Sequence, residues 1–270
     1  MALTDDITAI TKKYYEKKMY DNIFASNAAL QRAKKKWYTK ISGGRAIDVP
    51  LLYATNAQSE WYSGTTLSVG TNSKKTSASF DWKRLHTPIV VDGLDELKNA
   101  GEEQVIDHVK TEVQIATKSQ SDKMGDALFN AGTDTKEIQG LKLGCAATGT
   151  CGGIAKGTYS WWQGQTDSTT TSLSLAKMQS LFGDCTQDND RPTVIFTHQD
   201  RYDDVYGLLQ PQQRFGDAET MKAGFTSILW NGIPIIVDSH CDSTHLYMIN
   251  ENYIEFKVHR DRDFVVTAFQ

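Results

Sequence analysis

The chain has 270 residues, 39% of them hydrophobic and 23% charged, with a formal net charge of −4: enough material for one large or two modest domains with a real core, and no match to a disordered or collagen-like composition. No apolar run approaches the about 20 residues a membrane helix needs, and the opening Met1-Ala2-Leu3-Thr4-Asp5-Asp6 is acidic where a signal peptide would be basic. The four cysteines, Cys145, Cys151, Cys185 and Cys241, are too few to staple a chain this size, so reduced thiols in a cytosolic setting are expected.

Residues 3–41 read as an interrupted helix, with Ile7, Ile10, Tyr14, Ile23 and Leu30 loosely on one side. Between Thr11 and Arg45 ten basic residues, Lys34, Lys35 and Lys36 among them, face only Glu16 and Asp21, a balance of +8 that leaves −12 for the remainder. A basic arm on an acidic body suits the body of a neighbouring copy, or a polyanion; a solvated helix face accounts for the same charges. Ser42-Gly43-Gly44 ends the helix, and Asp48-Val49-Pro50-Leu51-Leu52-Tyr53 is extended.

Trp61, Ser63, Thr65, Leu67 and Val69 alternate with Tyr62, Gly64, Thr66 and Ser68, the period of a strand. Gly70-Thr71-Asn72-Ser73-Lys74-Lys75 has turn chemistry, and 77–91 returns as a second strand carrying Phe80 and Trp82. Residues 47–91 thus predict a hairpin whose arms reach on the order of 50 Å. It has no core of its own, and a lone two-stranded hairpin is marginal in water, so it must lie on something. Its anchors Trp61, Tyr62, Phe80 and Trp82 are expected on an adjacent subunit, because aromatic anchors dominate interface energies.

After a turn at Asp92-Gly93-Leu94-Asp95-Glu96, residues 101–131 predict a long amphipathic helix. Val105, Val109, Val113, Ala116, Met124 and Leu128 recur at helical spacing, over a rod of about 45 Å. The second half alternates short elements. Helices are predicted at 174–182 and 200–209, and strands at 193–197, 232–238, 245–249, 253–258 and 264–269.

Candidate chemistry is thin. His240, Cys241, His245, Cys145 and Cys151 could be drawn as a zinc site, but Cys145 and Cys151 are too widely spaced for the tight Cys pairs of such sites. Thiols packed as small apolar side chains account for them better. The glycine-rich stretch 140–157 lacks both phosphate-loop patterns and reads as irregular strands and turns. Asp203-Asp204 and Asp261-x-Asp263 are paired carboxylates among charged neighbours, which points to surface ion pairs. No nucleophile elbow is present. Trp161-Trp162 is read as core or interface packing.

The order of parts resembles a phage major capsid protein of the HK97 fold. The resemblance is carried by the basic helical arm; by the hairpin ending in Phe80-Asp81-Trp82-Lys83-Arg84; and by the long helix ending in Met124-Gly125-Asp126-Ala127-Leu128-Phe129. It continues in Gly152-Gly153-Ile154-Ala155-Lys156-Gly157-Thr158-Tyr159-Ser160-Trp161-Trp162, in Leu208-Leu209-Gln210-Pro211-Gln212-Gln213-Arg214-Phe215, in the run from Asn231 to Asp238, and in Val258-His259-Arg260-Asp261-Arg262-Asp263-Phe264.

The resemblance implies an α+β, HK97-like capsid fold. Residues 1–46 would be an N-terminal arm and 47–91 an extended E-loop hairpin. Residues 92–167 and 249–270 would form a peripheral domain with the spine helix, and 168–248 an axial domain. It implies a non-enzymatic shell protein without cofactor or metal, self-assembling as pentamers and hexamers around double-stranded DNA held by non-specific contact. Its partners would be itself, a portal and no membrane. The chain starts almost directly in the arm, so a separate scaffolding protein is expected. The shell would assemble in the host cytoplasm and end in the virion. Trp61, Tyr62, Phe80, Trp82, Lys34, Lys35 and Lys36 would stand at subunit interfaces, with Lys74 and Lys75 at the hairpin tip. Some members of the family form isopeptide bonds from an E-loop lysine; no partner asparagine or catalytic acid can be placed in this chain. The rival readings are an encapsulin-type bacterial compartment, which shares the fold, and a Cys/His metal enzyme.

Overall fold

The computed structural model of the chain describes residues 27–56, 73–90, 102–168, 172–213 and 228–263, with residues 59, 61, 63, 64, 70 and 265. Side chains are described from residue 112 in the longest helix and up to residue 209 in the helix that ends at Gln213. The expected helix before residue 27, most of the first hairpin arm, the turn at 92–96 and the strand at 264–269 lie outside these residues.

Helix α1 (Ala28–Lys36) starts where Asn27, in an extended conformation, accepts the Leu30 amide on its side chain at 3.1 Å. Its apolar face is short but fully used: Ala29, Leu30, Ala33 and the following Trp37 are at most 2% exposed. The chain then leaves the helix. Residues 38–41, expected to be helical, form strand β1 (Tyr38–Ile41), which pairs in parallel with β10 (Phe256–His259) near the other end of the chain. The aromatic and β-branched side chains of Tyr38, Thr39 and Ile41 suit a pleated surface, and a remote partner strand settles the choice.

β2 (Ile47–Leu52) and β3 (Lys75–Phe80) are antiparallel, Ile47 opposite Phe80 and Leu52 opposite Lys75. A hairpin is present as expected, but its parts are shifted. The second strand starts at Lys75 and ends at Phe80; residues 81–90 have no regular structure. The Tyr53 amide adds a bond to the Lys74 carbonyl at 3.1 Å. Lys74 and Lys75 therefore belong to the paired root and not to the tip, and the turn lies somewhere between residues 53 and 74.

The long helix α2 runs Glu102–Leu128. Asn130 stops it by accepting the Gly132 amide at 3.1 Å, and Gly132 sits at φ +67. Residues 140–157 are more ordered than expected: a short helix α3 (Leu141–Cys145) and two short antiparallel strands, β4 (Thr150–Cys151) and β5 (Ile154–Ala155).

Helix α4 (Leu175–Asp184) is capped by Ser174, whose hydroxyl accepts the Lys177 amide at 3.3 Å. Helix α5 spans Gln199–Gln213. With β6 (Val194–Thr197), β7 (Leu229–Trp230), β8 (Ile233–Val237) and β9 (Leu246–Ile249) they build the centre of the molecule. The sheet order is β7-β8-β6-β9, with β6 parallel to β8 and the other pairs antiparallel. Residues 253–258, expected as one strand, divide into a 3-10 turn, Glu251–Tyr253, and β10.

The sheet is buried on both faces, which is why Val194, Ile195 and Phe196 are all apolar rather than alternating. One face places Val194, Phe196, Tyr247 and Ile249 against Leu30, Ala33 and Trp37 of the first helical segment and Leu128 and Phe129 at the end of α2. The other packs Ile195, Ile233, Ile235 and Met248 against Met178 of α4 and Val205 of α5. Phe196 is wholly buried and meets Trp37 and Phe129 edge-on, with ring centroids 6.0 and 6.2 Å away.

Candidate interaction surfaces

Among the described residues the surfaces and buried polar clusters carry the functional reading. The hairpin comes first. Ala78 of β3 is wholly buried, and the Ser79 amide donates to the Gly152 carbonyl at 2.9 Å. The Tyr53 ring stacks on Trp161 at 4.9 Å, and the Tyr53 hydroxyl donates to the Ser73 carbonyl at 2.9 Å. Trp82 donates its indole N–H to the Gly44 carbonyl at 2.9 Å and lies edge-on to His259 at 5.7 Å.

Phe80 and Trp82, expected on an adjacent subunit, thus have neighbours on their own chain, and so does Trp161. Other apolar side chains of the hairpin stand in solvent: Leu52 is 72% exposed and Trp61 fully exposed. Tyr62 lies outside the described residues. Lys75 is exposed on the outer side of β3, Lys74 half-buried beside it.

The basic segment is also more engaged than its composition implies. Arg32 meets Glu251 with two bonds, 2.5 and 2.7 Å, and Lys36 donates to the same carboxylate at 2.8 Å. Thr193 completes the site, its hydroxyl accepting the Glu251 amide at 3.0 Å. Burial works against the Glu251 charge, but the bonds from Arg32 and Lys36 outweigh it and hold the carboxyl below its ordinary range. Lys36 therefore anchors α1 to its own chain. Lys34 is half-buried and Lys35 exposed.

Two further buried polar groups had no signal in the sequence. Lys156 is 1% exposed, and its ammonium donates to the carbonyls of Leu143, Gly144 and Ala146 at 2.6, 2.7 and 2.8 Å. Leu143 and Gly144 lie in the last turn of α3 and Ala146 just beyond it, so the lysine's charge sits at that helix's C-terminal end, sharing the Leu143 and Ala146 carbonyls with the Ala146 and Gly164 amides. Burial lowers its pKa. Asp238, 3% exposed, accepts the Ala29 amide and the His240 amide, each at 2.9 Å, joining the start of α1 to the loop after β8. His240 in turn lies 3.0 Å from Asp126 of α2. Gly125 permits this approach, because a Cβ there would stand 2.4 Å from Asn27 Nδ2 and 2.5 Å from His240 Cδ2.

The cysteines are free and packed rather than reactive. Burial pushes the Cys145 thiol up to about 11 and the Cys241 thiol up to about 12, and raises Cys151 and Cys185 as well. Protonated thiols are poor nucleophiles and poor ligands. Among the described residues no three His, Cys, Asp or Glu side chains come together to hold a metal ion, so His240, Cys241, His245, Cys145 and Cys151 do not form one site. The paired carboxylates are engaged as ordinary ion-pair or hydrogen-bond acceptors: Asp204 with Arg201 at 2.7 Å, Asp203 with Gln199 at 2.7 Å, Asp263 with Lys40 at 2.9 Å. No helix among the described residues is long and apolar enough to cross a membrane.

No protein-family model matches the sequence, and no curated protein matches it. A solved structure does. The chain superposes on a chain of the cyanophage A-1(L) capsid asymmetric unit with a TM-score of 0.62, at 19% identity, over 88% of this chain and 75% of that one. The fold, mixed helix and sheet, is that of a phage capsid chain.

Proposed function

We propose that this chain is a phage major capsid protein that self-assembles as pentamers and hexamers into an icosahedral head enclosing double-stranded DNA. The observation that carries the proposal is a capsid fold shared over 88% of the chain, not over one module of it. The hairpin supports it, since a paired root held on the body continues to a fully exposed Trp61. A large aromatic left in water fits a contact completed by another subunit.

In this reading residues 47–91 are the E-loop, α2 the spine of a peripheral domain that also takes 92–167 and 249–270, and 168–248 the axial domain. The distal hairpin, with Leu52, Trp61 and Tyr62, lies on the peripheral domain of an adjacent subunit. Lys35, on the exposed side of α1, faces a neighbour or the acidic body of another copy. A separate scaffolding protein and a portal complete the assembly, the shell forms in the host cytoplasm, and no catalytic step is assigned.

The test is expression with and without the cognate scaffold, followed by negative-stain microscopy and ultracentrifugation. Pentamers, hexamers or closed icosahedral shells are expected. A monomer that persists at high concentration with scaffold present overturns the proposal. Nucleic acid against enclosed enzyme in shells isolated from the natural host separates a virion from an encapsulin-type compartment.

A further inference from the structure

We propose that the hairpin is not hinged where it leaves the body: its angle is set inside its own subunit by a clamp at the root, and Gly152 is the residue that sets it. The consequence for shells rests on the capsid reading; the clamp itself does not.

The contacts are spread from one end of the paired ladder to the other. At the far end the Tyr53–Trp161 stack holds one strand, and the Tyr53–Ser73 bond ties the other strand to it. Trp161 is itself supported, since its neighbour Trp162 donates its indole N–H to the Cys151 carbonyl at 3.0 Å.

In the middle, β3 sits on the turn between β4 and β5. A Cβ at residue 152 would stand 2.8 Å from both Ala78 Cβ and Phe80 Cζ, and Gly152 has φ +57, which side-chain-bearing residues rarely adopt. Glycine alone allows both the turn and this closeness of approach. The turn is tied back to the body, because the Gly152 amide donates to Gln139 Oε1 at 2.9 Å.

At the near end Trp82 bonds to Gly44, and Lys83 Nζ donates to the Thr135 carbonyl at 2.5 Å. Three supports along a six-residue ladder resist both swing and twist. A hinge needs a few residues free to change their backbone angles, and the ladder from Ile47 to Leu52 and Lys75 to Phe80 has none without a partner or a packed neighbour. Whatever bending distinguishes one shell position from another lies beyond Tyr53 and Ser73. The angle at which the hairpin leaves, and with it the curvature passed to a neighbour, belongs to residues 139–164.

Hydrogen exchange on unassembled wild-type subunits tests the clamp directly. Peptides covering 47–53 and 75–80 are expected to exchange at least tenfold more slowly than unstructured chain. Tyr53→Ala with Trp82→Ala, which removes two supports without adding atoms, is expected to erase that protection while peptides over 194–197 stay unchanged. Gly152→Ala is expected to shift the shell diameter distribution, with the melting temperature of the subunit within a few degrees of wild type. If Gly152→Ala fails to fold, the double variant carries the same shell measurement. Wild-type peptides 47–53 and 75–80 exchanging as fast as unstructured chain overturn the clamp. So do variants that assemble to wild-type diameters with wild-type exchange. A wild-type protein that forms no shells yet keeps the protection refutes the capsid reading and leaves the clamp standing.

Discussion

The central sheet and the hairpin are built on opposite plans. The sheet is closed: Val194, Ile195 and Phe196 are all wholly buried, between α1 and α2 on one side and α4 and α5 on the other. The hairpin is closed only at its root, by Ala78, Tyr53 and Trp82, and then carries Trp61 into solvent. Both contain aromatic anchors, so composition does not separate them. What separates them is where the covering surface comes from: the same chain in one case, another molecule in our reading of the other.

Substitutions can break that comparison, and the largest effect belongs to the closed region. Phe196→Ala should destabilise the subunit by about 3–5 kcal/mol, the range for a buried phenylalanine whose site cannot collapse. Urea unfolding of unassembled protein measures it, and a loss below about 1 kcal/mol would show that the sheet is not the folding core.

Glu251 sharpens the same side. Its carboxylate is 4% exposed and is shared by Arg32 and Lys36, so Glu251→Gln should cost about 1–3 kcal/mol by leaving the guanidinium poorly matched. The folded-state pKa lies below the ordinary 4.5, so the contribution is complete above pH 4.5 and is lost as pH falls through the folded value. Stability of the wild type minus that of Glu251→Gln should therefore be flat above pH 5 and shrink below 4.5. A difference that grows on acidification would reverse the assignment. Reversing Lys34, Lys35 and Lys36 to glutamate should act in two ways: the change at 36 strikes the subunit, while Lys35→Glu alone should weaken assembly, more so at low salt, with little effect on melting.

The thiols are intermediate. Serine at Cys145 or Cys151 should cost about 1–2 kcal/mol each through lost packing, and elemental analysis should show the same metal content before and after. One zinc per chain, lost in the double variant, would restore the metal reading. The smallest effect on the subunit belongs to the open region: Trp61→Ala should move its stability by no more than about 0.5 kcal/mol, yet give shells that fail or dissociate in milder denaturant. Deleting residues 64–72 should do the same. The clamp predicts that such a deletion leaves exchange at 75–80 slow, whereas a hairpin stabilised only by neighbours would lose it.

What was legible in the sequence follows a physical division. Periodic or continuous apolar runs spoke clearly: the valines at helical spacing before Leu128 marked α2, and Val194-Ile195-Phe196 marked a doubly buried strand. Tyr38–Ile41 did not, because its strand character is decided by β10, whose Phe256, the partner of Tyr38, is remote in sequence. The hairpin turn was misplaced because Lys74 and Lys75, polar on an edge, look like turn residues. Lys156 and Gly152 were visible only as members of a glycine-rich stretch. A lysine there reads as solvated, and nothing local announces the three carbonyls it bonds. Trp61 is exposed on its own chain, whereas Phe80 and Trp82 beside it also have neighbours on their own chain, which alternation and residue type do not reveal.

The parallel pairing of Tyr38–Ile41 with Phe256–His259 has a bearing on synthesis. Together with the Ala29–Asp238 bond, it makes α1 wait for segments made last. Leu30, Ala33 and Trp37 leave the ribosome early; Leu128 and Phe129 can cover them only in part, and the cover is complete only when Tyr247 and Ile249 have followed, more than two hundred residues later. At translation speeds of about 5–20 residues per second that is an interval of seconds or more, during which the hairpin exists with no finished body beneath it. In the capsid reading, a nascent chain cannot join a growing particle in that state. On that reading subunit supply is metered by the completion of each polypeptide.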